Sequence, residues 1–299
     1  MKHVLLATTA LAMTTSLAAA EVSLSGRAGA GVANTAAAGT NGVSAGVTSE
    51  IWSGIDLNVS ASVTTDNGVT ISAGDDFGGG KLPDYADKEL DAQTSDLDTP
   101  GVTVAVGGWS VGFDNQAKDD RYDNTQNGDI TIDGTVGGLS VGITYDTDAQ
   151  VHGGAGANAA IMNAGTSYAL GYTMGDISLS VTGTDANDAG DAAMEWSGSY
   201  AMGDMTLSLS SDNNGAGDDV TEMGIAYAMG DLSVSLSADD ANDWNASASY
   251  STGGMSVSYA TDEESAWEAD VSYALGSGAS VNASTDSTEF SVVGIEFTF

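Results

Sequence analysis

Between Trp196 and Ser237 the chain alternates apolar with small polar residues, reverses at Gly203-Asp204, passes through an Asp/Asn/Gly-rich loop, and alternates again to a second Gly230-Asp231 reversal. A period of two is that of a β-strand, so the stretch predicts two antiparallel hairpins in series. After the first reversal Met205, Leu207 and Leu209 take one face and Thr206, Ser208 and Ser210 the other. A sandwich core needs bulky side chains on its inner face. Here the second face carries Ser, Thr, Ala and Gly, which suit a water-filled lumen and leave the apolar face for lipid.

The first twenty residues read as an export signal: Lys2, an apolar run from Val4 to Met13, and Ala18-Ala19-Ala20 before Glu21. The expected division is a signal peptide over 1–20 and one barrel domain over 21–299. No other run approaches the ~18–20 apolar residues of a spanning helix, so an exported chain of this kind is soluble or a barrel. The chain holds 42 Asp and Glu residues, and beyond Ala20 its basic residues are Arg27, Lys81, Lys88, Lys118 and Arg121. That balance excludes nucleic acid as a partner. The absence of cysteine removes disulfides and thiolate metal sites, and 40 glycines with two prolines describe many strands and turns.

The alternation recurs along the chain. Glu21–Val32 opens as a strand, Ile55–Val63 supplies the apolar face of another, and Asp66-Asn67-Gly68 turns it back. Gly78–Pro100 has no periodicity, and Gln116–Gly128 reads as a charged loop. Further on, Tyr172, Tyr200, Tyr227, Tyr250 and Tyr273 each stand just before a Gly-containing turn, at intervals of 23 to 28 residues. Rings at a constant distance from the turns predict an aromatic girdle at a membrane surface, with the short turns on the periplasmic side.

The start EVSLSG, the TTDNG hairpin, the Tyr-rich turn ends and the last strand, FSVVGIEFTF ending on Phe299, resemble the general porins of the Gram-negative outer membrane, the alphaproteobacterial type in particular. The resemblance implies a homotrimer of 16-stranded barrels, a third extracellular loop folded inward as a constriction, and a terminal Phe299 read by the barrel-assembly machinery. Counting hairpins instead gives eight plus a strand at each end, eighteen in all. The expected fold is therefore all-β, a transmembrane antiparallel β-barrel of 16–18 strands with short periplasmic turns and longer extracellular loops.

The expected function is an outer-membrane channel, cation-selective because acids crowd its mouths, for passive diffusion of small hydrophilic solutes and ions. Its surroundings would be outer-membrane lipid and lipopolysaccharide. No cofactor and no catalytic residue is expected: His152, in a glycine-rich loop, has no nucleophile motif to serve. For the constriction, Lys118, Asp119, Asp120, Arg121 and Asp123 come first, with the Gly78–Pro100 loop and its Asp84, Asp87 and Glu89 as the alternative; a solvated outer loop is the plain reading of either. A repeat suggests weak calcium sites, with Asp185, Asn187, Asp191 and Glu195 in one loop and Asp212, Asn214, Asp218 and Glu222 in its sister. Against that, Asp, Asn and Gly are what hairpin loops contain. The rival to the whole reading is a secreted acidic β-rich structural or surface protein, with its apolar faces packed on each other.

Overall fold

The computed structural model describes residues 21–36, 47–93, 100–122, 127–147, 165–185, 192–213 and 219–299. In chain order the strands are β1 (Glu21–Ala36), β2 (Val47–Thr64), β3 (Thr70–Asp84), β4 (Glu89–Ala92), β5 (Gly101–Val106), β6 (Trp109–Asp119), β7 (Asn127–Val136), β8 (Leu139–Tyr145), β9 (Thr166–Met174), β10 (Ile177–Thr184), β11 (Ala193–Met202), β12 (Met205–Asp212), β13 (Val220–Met229), β14 (Leu232–Asp239), β15 (Trp244–Thr252), β16 (Met255–Asp262), β17 (Trp267–Gly276), β18 (Ala279–Asp286) and β19 (Ser291–Thr298). Every strand but β4 pairs antiparallel with a neighbour on each side, and β1 pairs with both β2 and β19. The seam is sealed to its last residue, where Gly26 N donates to Phe299 O at 2.9 Å and Phe299 N to Gly26 O at 3.0 Å. Closure into an eighteen-stranded barrel removes every edge. Eighteen is the hairpin count, not the sixteen that the family resemblance implied.

Two kinds of reversal make most of the short turns. In the Gly-Gly turns both residues are left-handed, as at Gly107 (φ 59°) and Gly108 (φ 84°); in the Gly-Asp turns only the glycine is, as at Gly203 (φ 60°). These are the backbones that match strand twist in two-residue hairpins, and L side chains rarely adopt them. Longer connections occupy the other end.

The barrel is inside out relative to a soluble core. Met205, Leu207, Leu209, Ile225, Leu236 and Val257 point outward, and all but the half-buried Met205 are exposed. Tyr172, Tyr200, Tyr227, Tyr250 and Tyr273, 40–49% exposed, share that outer face near the short turns. A second outward belt stands toward the loop end: Tyr145, Trp196, Trp244, Tyr259 and Trp267. Aliphatic side chains between two aromatic belts are the lipid-facing pattern of a membrane barrel.

The buried apolar cluster lies inside the lumen: Ala33, Trp52, Leu82, Phe290 and Val292, with Tyr85 and Leu90 packed against it. This corrects the aperiodic reading of Gly78–Pro100. Strand β3 runs on to Asp84, turns over Tyr85–Lys88, and pairs Lys81–Asp84 with β4. Gly78 and Gly80 permit it, because a Cβ there would meet Ile55 O at 2.5 Å and Ser53 O at 2.1 Å. The start of Gln116–Gly128 is likewise strand, since β6 continues to Asp119 after a register shift between Phe113 and Lys118. Strand β2 begins at Val47, ahead of the apolar run that announced it.

Candidate pore and its constriction

The inner wall from β9 to β16 is built of small hydroxyl residues in cross-strand pairs. Ser180 and Ser197 bond at 2.5 Å and Ser235 and Ser247 at 2.7 Å. Short polar side chains keep the bore open and hydrate it. Toward the loop end the same face turns acidic: Glu195 stands opposite Asp212, Glu222 opposite Asp239, Asn245 opposite Asp262, and Glu268 opposite Asp286.

Two segments enter this lumen. The first is the β3–β4 hairpin from the second long connection. Its anchor is Trp52, fully buried on the inner face of β2. The indole lies against Gly31 and Gly294, where added Cβ atoms would stand 2.8 and 2.1 Å from its ring carbons. Leu82 is buried over it. Around this apolar seat Arg27 donates to Pro83 O at 3.3 Å and pairs with Asp56 at 3.8 Å. The Tyr85 hydroxyl donates to Glu296; burial first, and then that carboxylate, push its pKa well above the usual phenol value. Lys88, nearly buried, reaches Asp270 at 2.8 Å and Glu268 at 3.3 Å. Burial alone would lower its pKa, yet the two carboxylates hold it above the ordinary lysine value. At the turn, the Asp87 and Ala86 N–H groups donate to Asp84 and hold its carboxyl below the usual range.

The second segment is Lys118–Tyr122, leading into the third long connection. Lys118 pairs with Asp114 at 3.6 Å. Arg121 donates from Nη2 to Asp133 at 2.8 Å and from Nε to Thr144 at 3.0 Å, and its backbone N donates to Ser167 Oγ at 2.9 Å. Gly142 leaves the guanidinium its place, since a Cβ there would sit 3.4 Å from Cζ. Thr144 in turn donates to Asp119 O at 3.0 Å. The Tyr122 hydroxyl donates to Asp212 on β12. Thr144, Ser167 and Thr184, hydroxyls of the β8–β10 inner wall, are only 3–4% exposed. Among the described residues the anchors of this strap are polar.

The described parts of both loops named by the sequence thus turn inward. Lys118 and Arg121 lie on the inner wall with Asp119 and Asp120 beside them, Asp84, Asp87 and Glu89 sit on the hairpin, and Asp123 lies outside the described residues. Of the repeat read for calcium, Asn187, Asp191, Asn214 and Asp218 also lie outside them, as does His152. Asp185 accepts from Thr166 N at 2.6 Å, Asp212 accepts from Tyr122, and Glu195 and Glu222 face the lumen from within β11 and β13. Among the described residues no three or more acids and histidines form a group that could hold a metal ion. The residues missed by sequence reasoning are the wall-side partners Trp52, Asp56, Asp133, Glu268, Asp270 and Glu296. Each occupies the polar phase of its strand, where a large or charged side chain among Gly and Ser was the available signal.

A closed barrel with an apolar outer face, two aromatic belts, a hydroxyl-lined bore and inward-folded segments defines a channel-forming barrel of the outer membrane. A family model described as Gram-negative porin matches residues 7–292, and the chain belongs to that family. In structure it is similar to a double mutant of Rhodopseudomonas blastica porin, 16% identical, with a TM-score of 0.53, 93% of this chain and 100% of that one being covered. A triple mutant of the same porin is similar at 16% identity and a TM-score of 0.54, over the same shares. No curated protein matches the chain in sequence.

Proposed function

We propose that this porin is a cation-selective diffusion channel for small hydrophilic solutes and ions. One observation carries the selectivity: the five basic side chains beyond Ala20 are all ion-paired, Arg27 with Asp56, Lys81 with Glu50, Lys88 with Glu268 and Asp270, Lys118 with Asp114, and Arg121 with Asp133. Among the described residues, Glu195, Glu222, Asp239, Asp262 and Asp286 pair with no cation, and they line one arc of the inner face at the loop end, from β11 to β18. The potential seen by a permeating ion is therefore negative. Screening over ~8 Å at physiological salt confines it to that rim and to the narrow part of the bore.

The short turns then face the periplasm and the acidic loops the outside, against lipopolysaccharide. Assembly as a homotrimer and delivery through Phe299 belong to the same proposal and rest on the family; removal of residues 1–20 rests on the export pattern from Lys2 to Ala20. An outward apolar face with two aromatic belts speaks against a secreted acidic protein whose apolar faces pack together. The test is the reversal potential of purified protein in a planar bilayer under a salt gradient. Cation preference that weakens as salt rises is expected; anion preference at low ionic strength overturns the selectivity, and absence of discrete conductance steps overturns the channel.

A further inference from the structure

The hairpin formed by the end of β3 and by β4 takes no part in closing the barrel. Strand β4 pairs with β3 alone, and the barrel passes from β3 directly to β5 through Thr70–Gly74 opposite Gly101–Ala105. The hairpin nevertheless covers the inner faces of five consecutive strands: β2 through Trp52 and Gly54, β1 through Arg27 and Ala33, β19 through Val292 and Glu296, β18 through Asn282, and β17 through Glu268 and Asp270. The Lys118–Tyr122 strap leans on β7, β8 and β9 and reaches β12, on the other side of the ring. Ions passing through the bore have to go between the two.

We propose that this hairpin is a second, fixed constriction element, and that Lys88 at its tip is a specificity-determining residue of the channel. The inference rests on the channel reading above and deepens it. The hairpin narrows the lumen from the wall opposite the strap, seated by an apolar contact instead of by loop charge. Gly29, Gly31, Gly54 and Gly294 clear a trough in the inner wall that the Trp52 ring and Leu82 fill: added Cβ atoms would stand 3.1 Å from the ring at Gly29 and 2.9 Å from Leu82 Cγ at Gly54. Backbone or Glu296 also crowds Gly29, Gly31 and Gly54, but at Gly294 the Trp52 ring is the first thing a side chain would meet, at 2.1 Å. The tip then delivers one ammonium to two acids, Asp270 and Glu268, and withdraws both from the cation path. The open passage is left against β13–β16, where the acids are unpaired among the described residues. Such a path favours small cations and narrow neutral solutes over anions.

The test uses three variants of the full chain in planar bilayers. Replacing Leu82–Asp91 with a short Gly-Ser link keeps every pairing of β3 with β2 and β5, which end at Gly80 and Gly74, and is expected to give a larger unitary conductance step than the parent. Lys88→Met frees Glu268 and Asp270 and is expected to raise the cation-to-anion permeability ratio roughly twofold at low salt. The third variant, Val292→Cys, reports docking directly: the chain has no native cysteine and Val292 is 3% exposed beneath the hairpin. Its thiol should resist a small charged methanethiosulfonate reagent in the intact protein and react once the hairpin is excised. A parental conductance step in the excision variant, or ready labelling of the Val292→Cys thiol while the hairpin is intact, overturns the proposal. Either result with discrete cation-selective steps in the parent leaves the channel reading standing; loss of those steps in the parent would remove that reading instead.

Discussion

The two inward segments, on opposite walls of the lumen, are seated by opposite chemistry. The hairpin is seated by Trp52, Leu82, Phe290 and Val292, and its ion pairs stand around that seat. Among the described residues the strap's anchors are polar: Arg121 holds it through Asp133, Thr144 and Ser167, and Tyr122 through Asp212. Apolar burial is indifferent to moderate salt, whereas partly exposed ion pairs and charge-assisted hydrogen bonds weaken as salt rises. One lumen can thus hold a fixed obstruction and an adjustable one, and the distinction lies in the anchors and not in the loops' charge.

The largest effect is expected at the hairpin seat. Trp52→Ala should weaken hairpin docking by about 3–5 kcal/mol, through lost burial and the cavity left behind. Gly294→Val should unseat the same ring, since even a Cβ there would stand 2.1 Å from it. Both variants should form barrels with larger unitary steps; unchanged steps in both would make the seat ornamental. A smaller effect is expected at the strap. Arg121→Ala removes one cation with its two side-chain hydrogen bonds and should loosen the segment by about 1–2 kcal/mol, since the pair is partly exposed. The variant should conduct like the parent in high salt and more strongly than the parent in low salt. A difference that persists at all salt concentrations would mean that the strap is not held by charge.

The smallest effect separates the hairpin turn from the rim by pH. Asp239 and then Glu263 raise the pKa of Asp243, so its repulsion is present at neutral pH and is relieved as pH falls through a value above 3.8. Asp84 is shifted the other way by the Asp87 and Ala86 N–H groups, so its support of the hairpin turn is present above 3.8 and is lost only as pH falls below it. On acidification, cation preference should decline before the hairpin loosens. Reversal potential and Val292→Cys labelling followed across the same titration would check the order, and simultaneous loss would contradict it.

Much of the barrel was legible in the sequence because a period of two needs no tertiary context: Met205–Leu209 against Thr206–Ser210 fixes the faces, and the Gly turns fix the count. The tyrosine belt was legible for the same reason. The loop-end belt is harder to see, because only Trp244 and Trp267 keep one distance from their turns, at Gly253 and Gly276, while Trp196 stands closer to Gly203. The hairpin was hidden by its own composition. Asp84, Asp87, Glu89 and Asp91 give that stretch the look of a solvated loop, while what holds it is a tryptophan thirty residues earlier, out of phase with the apolar face of its strand. Third-loop residues Lys118–Arg121 stand out by their charge, but of the residues that receive them only Asp133 shows, as an acid in the polar phase of its strand; Thr144 and Ser167 look like any other hydroxyl of the wall.

That two segments narrow one lumen, and that only the strap depends on charge and polar contacts alone, is tested most directly by thiol accessibility in low and high salt. Val292→Cys reports from beneath the hairpin and Thr184→Cys from the inner wall beside the strap, the two sites being 3% and 4% exposed in a chain without native cysteine. At about 1 M salt, where the screening length falls to ~3 Å, Thr184→Cys should become reactive while Val292→Cys stays protected. Equal protection of both thiols in high salt, or equal exposure of both, would contradict the account.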